Sequence, residues 1–406
     1  MKCHRILEKQ LNGLEMTKNK LYIAAAGAGK TTYIINHAVD YMKINDGSNI
    51  GIITYTIKNQ EKITDRIKEL KGYVPNEIKV LGWYSFLLEY CIRPFMGSVI
   101  DTLYCKQVGL SFVEGVSGRV KNKGKYHTTY KANDLLRKFL TKDYCFKSDK
   151  LSEFAYLCYK KNKADFINRL SNIFSAIYID EVQDLSAWDY DIITLLIKHT
   201  NLQIILCGDP RQKTFSTTKS SKWEKYSGGI DKYLQQEVNK PRNQYIYIDY
   251  TTLNYSHRFG TEIANFANLI IGTDFPPTRP CSCSSCKSKQ FNFPHKCGVY
   301  LVKESHVSLF ITTYNPMVLI WNSAHNQNVS SYTYTYGESK GLEEDVCLIY
   351  PTDVIVKNIL KSKKKALSDL SRCKLYVAIT RARYISAIVV ENDFNNSNIG
   401  IPFWKD

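Results

Sequence analysis

The stretch Leu21 to Ile35, LYIAAAGAGKTTYII, sets an apolar run against small residues, a lysine and two threonines, after which apolar spacing resumes. The segment from Ala24 to Thr31 fits the phosphate-binding pattern G-x-x-x-x-G-K-[ST], with Ala24 where the first glycine usually stands. A strand over Leu21 to Ala24 would feed a turn, Ala26, Gly27, Ala28 and Gly29, whose backbone N–H groups face a β-phosphate at the start of a helix from Thr31 to Val39. Lys30 would reach the β- and γ-phosphates, and Thr31, with Thr32 beside it, would hold Mg²⁺ through its hydroxyl. The plain alternative is a small-residue turn with an incidental lysine.

A second segment, AIYIDEVQDLSAWD from Ala176 to Asp189, turns that pattern into a constellation. Ile177 and Ile179 continue a buried strand that runs into Asp180 and Glu181, and open α/β sheets bind ligands at the carboxyl ends of their strands. Asp180 would sit on the metal, and Glu181 would orient or deprotonate an attacking water. A third strand, LQIILCGDPRQ, ends in Gly208, Asp209 and Pro210 followed by Gln212. A neutral amide at Gln212 can sense the γ-phosphate or the water without competing for Mg²⁺.

The order of these segments resembles the UvrD/Rep branch of superfamily 1 helicases, from about Gln10 to Arg383. The resemblance implies an α/β fold of two RecA-like P-loop motor domains with parallel sheets, a mostly helical insertion in the first and a reduced Cys-rich insertion in the second. It implies ATP with Mg²⁺ as cofactors. Gln10, twenty residues before Lys30, matches a glutamine that reads the adenine edge. IITYTIKNQEKITDRI resembles a DNA-touching segment and points to Thr54, Thr56 and Asn59. GWYSFL resembles the next, with Trp83, Tyr84 and Ser85, where base stacking on aromatics needs no sequence preference. LNYSHRFGTEIANFAN resembles the first motif of the second motor domain, with Arg258 as a γ-phosphate arginine and His257 at the position that stacks on adenine. YTYGESKGLEEDVCLIYP resembles the motif in which Lys340, Gly341 and Glu343 link nucleotide to strand. LYVAITRAR supplies Arg381 as a second arginine finger.

Around these motifs, strands near 49–54, 176–180 and 202–207 join the phosphate-loop strand in a first parallel sheet. Strands near 299–303, 309–313, 331–336, 346–350 and 385–390 make a second, SSYTYTYGE being a plain period-two signal. The resulting domains are 1–89 with 166–245, a helical insertion at 90–165, and 246–406. The basic stretch RVKNKGKYHTTYK in the insertion reads either as a strand-binding loop or as a solvated one. Only about 80 residues separate Arg258 from Lys340, so the accessory domain of larger relatives shrinks to a segment near 275–298. After Gln212 the family usually shows two stacking aromatics; here Phe215 remains and the second position is Thr217.

That reduced segment, RPCSCSSCKSKQFNFPHKC, carries Cys281, Cys283, Cys286, His295 and Cys297. Four thiolates, or three with His295, satisfy the count for a tetrahedral structural Zn²⁺. Reduced thiols without metal, or redox or cluster chemistry, are the other readings. The remaining eight of twelve cysteines are scattered singly, as buried cytosolic thiols usually are.

Fifty-five Lys plus Arg against 38 Asp plus Glu leave a formal charge of +17, which favours a polyanionic partner. No 18-residue apolar run or signal-peptide core occurs, so a cytoplasmic chain with no membrane partner is expected. The combined reading is an ATP-dependent translocase or helicase on single-stranded or tailed DNA. The alternative is an ATP-gated DNA-end sensor regulating a partner nuclease of the OLD family in bacterial anti-phage defence, as in Gabija. A small-molecule kinase is disfavoured by the 150-residue gap from Lys30 to Asp180 and by the two C-terminal arginines.

Overall fold

The computed structural model describes residues 19–405 except 114–116, 118, 123–124, 130–133, 216, 218–219, 227, 323–331, 361–366 and 396–399, with the backbone alone for 119–122, 125–129 and 359–360. Gln10 lies outside the described residues. Two parallel sheets organise the chain. The first holds β1 (Lys20–Ile23), β2 (Ile50–Thr54), β3 (Ile78–Gly82), β4 (Ala176–Ile179), β5 (Gln203–Gly208) and β6 (Tyr247–Asp249) in the order β6-β1-β5-β4-β2-β3. Every neighbouring pair is parallel. Such strands are covered on both faces, which is why they read as apolar runs rather than as alternating ones. Leu21, Ile23, Ile177 and Ile179 enter one core layer, while Tyr22, Ile50, Ile52 and Tyr178 enter the other.

The second layer is completed by α1 (Lys30–Ile44), through Ile34, Ile35 and Ala38, and by α2 (Ile57–Lys71), through Ile63 and Ile67. Thr56 caps α2 by accepting the Asn59 N–H at 3.2 Å, and Gly72 ends it at φ 82°. Between β3 and β4 lie helices Leu151–Lys161 and Lys163–Ile173, the second running past the expected insertion boundary at 165, together with a parallel pair, 109–111 with 145–147, and an antiparallel pair, 119–122 with 125–129.

One buried carboxylate ties the insertion to the first sheet. Asp189, in the first turn of α3 (Trp188–His199), accepts hydrogen bonds from Trp83 Nε1 at 2.8 Å, the Ser186 N–H at 3.0 Å, and the hydroxyls of Ser152 and Thr217. Burial pushes Asp189 up while these four donors pull it down. Asp189→Ala would strand these donors and is expected to cost about 3 kcal/mol, lowering a thermal midpoint by roughly 6–12 °C in a melting scan. An unchanged midpoint would mean that water replaces the carboxylate.

The second sheet holds β7 (Gly298–Lys303), β8 (Met317–Ile320), β9 (Thr333–Thr335), β10 (Glu344–Ile349) and β11 (Ala382–Val390), all parallel, in the order β7-β11-β10-β8-β9. Against it pack α4 (Thr261–Ile271) and α6 (Asp369–Ile379); α5 (Ser284–Phe291) lies in the Cys-rich segment between them in sequence. The strand expected near 309–313 is instead part of a helix, Val307–Tyr314, and β8 follows it. Its β-branched residues suggest a strand, but Val307 and Phe310 share one buried face and the Thr312 and Thr313 hydroxyls donate to the carbonyls four residues back, at 3.0 and 2.8 Å. Tertiary packing overrides local preference there. No helix of the described residues is long and apolar enough to cross a membrane.

Candidate functional site

β1 hands over to α1 through Ala24–Gly29. Gly27 and Gly29 adopt φ of 72° and 77°, a left-handed backbone that glycine enters without steric cost. Gly27 is also required for space, because a Cβ there would stand 2.6 Å from Arg258 Cβ and 2.7 Å from Ser256 Oγ. Ala24 fills the pattern's first-glycine place comfortably: its φ is not positive, and its N–H extends the ladder to Gly208 O at 2.9 Å. Lys30 is buried in the first turn of α1, whose opening amides have no acceptor within the helix. Thr32 is half-buried in the same turn. A cavity of about 260 Å³ opens beside Gly27 and Gly29, walled by His257, Arg258, Cys286 and Glu343.

Thr31 Oγ1 donates to Asp180 Oδ2 at 2.7 Å, joining α1 to the end of β4. Two oxygen donors in contact suit a small hard cation, so the residues present fit Mg²⁺. When bound, Mg²⁺ would neutralise phosphate charge between them. Burial and the neighbouring Glu181 charge push Asp180 above the usual carboxylate range. Burial acts on Glu181 in the same direction, but Lys30 and Lys340 outweigh it and hold that carboxylate ionised. Glu181 sits at φ 56°, a left-handed non-glycine conformation that costs about 1–3 kcal/mol and needs support from its surroundings. Gln183 provides it, donating from Nε2 to the Glu181 carboxylate while its Oε1 accepts the Asp209 N–H at 3.0 Å. A Cβ at Gly208 would stand 2.5 Å from that Oε1, so glycine makes room for the brace. Sequence reasoning missed Gln183; its signal was a polar residue two positions past the acidic pair.

The second sheet contributes the cations. Arg381, 1 % exposed, donates from Nη2 to Gln212 Oε1 at 3.1 Å, from Nη1 to Leu342 O at 3.0 Å and from Nε to Val377 O at 3.0 Å. Among the described residues it has no carboxylate in salt-bridge contact, while burial and the nearby Arg258 guanidinium both weigh against its charge. Gln212 also donates to Asp209 Oδ2 at 2.8 Å, so its amide links the two sheets. Arg258 is held by Glu343 at 2.8 Å and by Thr380 O at 2.8 Å. Glu343, expected at the nucleotide, pairs with Arg258 and lies 3.5 Å from Arg383.

Arg211, unremarked in the sequence, is 3 % exposed and joins both halves. It binds Asp209 Oδ1 at 2.6 Å and Ala24 O at 2.7 Å on one side, and Thr278 Oγ1 and Pro276 O, each at 3.2 Å, on the other. Tyr376 OH lies against the same knot, accepting the Ala26 N–H at 3.3 Å and donating to Asp209 Oδ2 at 3.4 Å.

A family model described as an AAA domain matches residues 10–217, more than half of the chain. The chain belongs to the AAA domain family. Its curated relatives include a Mycoplasma genitalium protein named as a DNA helicase II homologue, 24 % identical over 293 residues. That alignment covers 61 % of this chain and 40 % of the relative. An Acanthamoeba polyphaga mimivirus protein named as an ATP-dependent DNA helicase is 25 % identical over 220 residues, covering 52 % of this chain and 25 % of that protein. The chain thus spans less than half the length of either. A solved complex of the arterivirus nonstructural protein 10 helicase with DNA aligns at TM-score 0.43 and 15 % identity, covering 92 % of this chain and 61 % of that one.

In this AAA domain protein the residues expected to touch DNA divide sharply. Thr54 is 1 % exposed at the end of β2 and Trp83 is 1 % exposed with its indole N–H committed to Asp189; neither can meet a strand in this arrangement, which corrects both expectations. Thr56 is engaged as the α2 cap, Ser85 is exposed, and Asn59 is half-buried facing Gly341. Tyr84 and Phe215 do reach a common surface. Ring centroids run from Phe112 to Tyr84 (5.9 Å), Tyr84 to Tyr55 (5.6 Å) and Tyr55 to Phe215 (4.9 Å). Phe112 and Tyr55 were not foreseen. Lys340 lies beside that run, its ammonium 5.4 Å from the centre of the Phe215 ring, but it is engaged by both Asp184 oxygens at 2.6 Å and by Glu181 at 3.5 Å. A cavity of about 820 Å³ begins at Phe215 and continues past Lys213, Lys222, Trp223 and Arg372.

The cysteine segment also differs from expectation. Sγ of Cys281, Cys283 and Cys286 and a ring nitrogen of His257 all lie within 4.8 Å of one another. Cys297 and His295 are elsewhere: Cys297 Sγ faces Gln290 O at 3.7 Å, and the His295 ring packs edge-on to Tyr314 at 4.8 Å. His257, expected to stack on adenine, takes the fourth place and also walls the cavity beside Gly27 and Gly29.

Proposed function

We propose that this chain is an ATP-driven translocase or helicase on single-stranded or tailed DNA, of the UvrD/Rep type, with two RecA-like units divided as 1–89 with 166–245 and 246–406. The observation that carries the reading is the meeting of Lys30, Thr31, Asp180 and Glu181 from one sheet with Arg381 and Arg258 from the other. Arg381 has protein carbonyls and an amide as partners, so a triphosphate's terminal phosphate would be its first contacting counter-charge. Glu181, ionised and braced, would orient or deprotonate the water, while Gln212 relays the state of Arg381 to Asp209. Closure of two units on one phosphate, and release after hydrolysis, is the basis of stepping. The curated relatives' names, the +17 charge and the aromatic run ending at Phe215 support DNA as the track.

The test is phosphate release with and without single-stranded DNA, followed by displacement of a strand from a tailed duplex. Turnover stimulated by the strand is expected, and none on any polynucleotide would overturn the reading. The nuclease-regulating alternative gives stimulation without displacement in the same assay. Glu181→Gln should bind Mg·ATP normally yet hydrolyse it at least ~10²-fold more slowly, the usual size of a general-base effect. Equal losses of binding and turnover would assign Glu181 to the grip instead.

A further inference from the structure

Residues 279–297 follow α4 as a short strand, Arg279–Pro280, and then α5, which buries none of its residues. A helix of sequence SSCKSKQF with no apolar face needs another source of order. The strand pairs in parallel with Tyr255–Ser256, in the register Tyr255↔Arg279 and Ser256↔Pro280, and the Cys281 N–H donates to Ser256 O at 2.7 Å. That register brings Cys281 beside His257, 24 positions earlier in the chain. Cys283 caps α5 and Cys286 stands in its first turn, so both sulfurs turn toward the same point.

We propose that His257, Cys281, Cys283 and Cys286 bind one structural zinc ion, and that this metal fixes the Ser256–Arg258 segment against the phosphate loop. Tetrahedral zinc with sulfur at ~2.3 Å and nitrogen at ~2.0 Å sets an S···N edge of roughly 3.5 Å and an S···S edge of roughly 3.8 Å. Cys286 Sγ and His257 Nδ1 are 3.6 Å apart, and the whole set lies within 4.8 Å, so binding draws the ligands in by about an ångström or less. Three thiols and an imidazole select zinc over hard cations, and the thiols lose their protons to solvent as it binds. The helix N-terminus beside Cys283 and Cys286 favours the thiolates that form.

The consequence for the cleft follows from what His257 touches. Its N–H donates to Gly27 O at 2.9 Å, and the next residue is Arg258, whose Cβ lies where a side chain on Gly27 would have to go. Cys286 and Arg258 wall the same 260 Å³ cavity. An imidazole held by metal cannot swing, so the arginine after it is presented at a fixed height over Gly27 and Gly29.

The metal content tests the site independently of any nucleotide reading. The full chain, purified reduced and without added metal, should carry close to one zinc per molecule by elemental analysis. Replacement with Co²⁺ should give the visible absorption of a tetrahedral thiolate site. Cys283→Ser with Cys286→Ser, and His257→Gln alone, should weaken or abolish metal binding, whereas Cys297→Ser and His295→Ala should retain it. A wild-type chain that holds no stoichiometric zinc and gives no such cobalt spectrum overturns the site, and loss of metal in Cys297→Ser with retention in His257→Gln overturns the ligand set. The coupling to Arg258 rests on the ATP reading. Stripping the zinc and returning the chain to chelator-free buffer with excess Mg²⁺ should lower turnover about 10–100-fold while a fluorescent ADP still binds, with zinc restoring activity. Unchanged turnover in the metal-free chain overturns the coupling. Zinc present in a chain that hydrolyses no ATP leaves the metal site standing and removes the proposed function.

Discussion

Replacing Lys30 with alanine is expected to abolish ATP turnover and tight ATP binding together. The ammonium is buried in the first turn of α1, close enough to Asp180 and Glu181 to shift both. Without it, a triphosphate would approach two carboxylates with only Lys340, itself bound to Asp184, as the nearby ammonium, and like-charge repulsion would outweigh attraction in a site shielded from water. Lys30→Met keeps most of the side-chain volume and should lose activity equally, which separates the charge from the packing. Phosphate release and fluorescent-ATP titration read the two losses, and normal turnover in either variant would remove the phosphate-loop assignment.

Arg381→Ala is expected to cut turnover by roughly 10³-fold, the lower end of what an arginine finger supplies, while ADP binding changes little. Arg381 reaches the cleft from the second sheet, and its hydrogen bonds among the described residues go to Val377, Ser339, Leu342, Gln212 and Thr380; ADP, which lacks the terminal phosphate, should not register its loss. Burial and Arg258 disfavour its charge, so an arriving γ-phosphate relieves an existing electrostatic cost as well as gaining contacts. Arg381→Lys should not restore turnover, because the fork that spans Gln212 Oε1 and Leu342 O is a guanidinium geometry. Arg258→Ala should act in the same direction. If Arg381→Ala hydrolyses ATP normally with single-stranded DNA present, the residue is a structural strut.

The legible parts of the molecule are the ones written in short windows. An apolar run, a small-residue turn and a lysine lie within fifteen residues, so β1, its loop and α1 could be placed from sequence alone, as could Asp180 and Glu181 at the end of β4. Residues that act by long-range pairing were not legible. His257 joins the cysteines through the register of two-residue strands, whereas Cys297 and His295, counted with the cluster because they follow it closely in the chain, are elsewhere. Trp83 and Thr54 looked like surface contacts because their motif does; the Asp189 carboxylate and the depth of β2 take them inside. Lys340 resembled a strand contact until the fold brought Asp184 to it. Arg211 carries no local signal and Gln183 only its place two positions past the acidic pair, since their work depends on which loops meet.

Arg211 has a mechanical consequence. With Asp209 and Ala24 on one side and Thr278 and the exposed Pro276 on the other, separating the two halves at this point would strand a buried guanidinium, at about 3–5 kcal/mol. Elsewhere the halves touch through an exposed contact, Lys62 Nζ to Gly341 O at 2.5 Å, and through buried ones, Lys340 Nζ to Asp184 at 2.6 Å and Arg381 Nη2 to Gln212 Oε1 at 3.1 Å. Opening therefore has no cheap side: a swing about Arg211 and Tyr376 strands Lys340 away from Asp184, and a swing about Lys340 strands Arg211, so that probe pairs on Lys62 and Gly341 and beside Thr278 should both stay nearly still until a ligand supplies a new counter-charge.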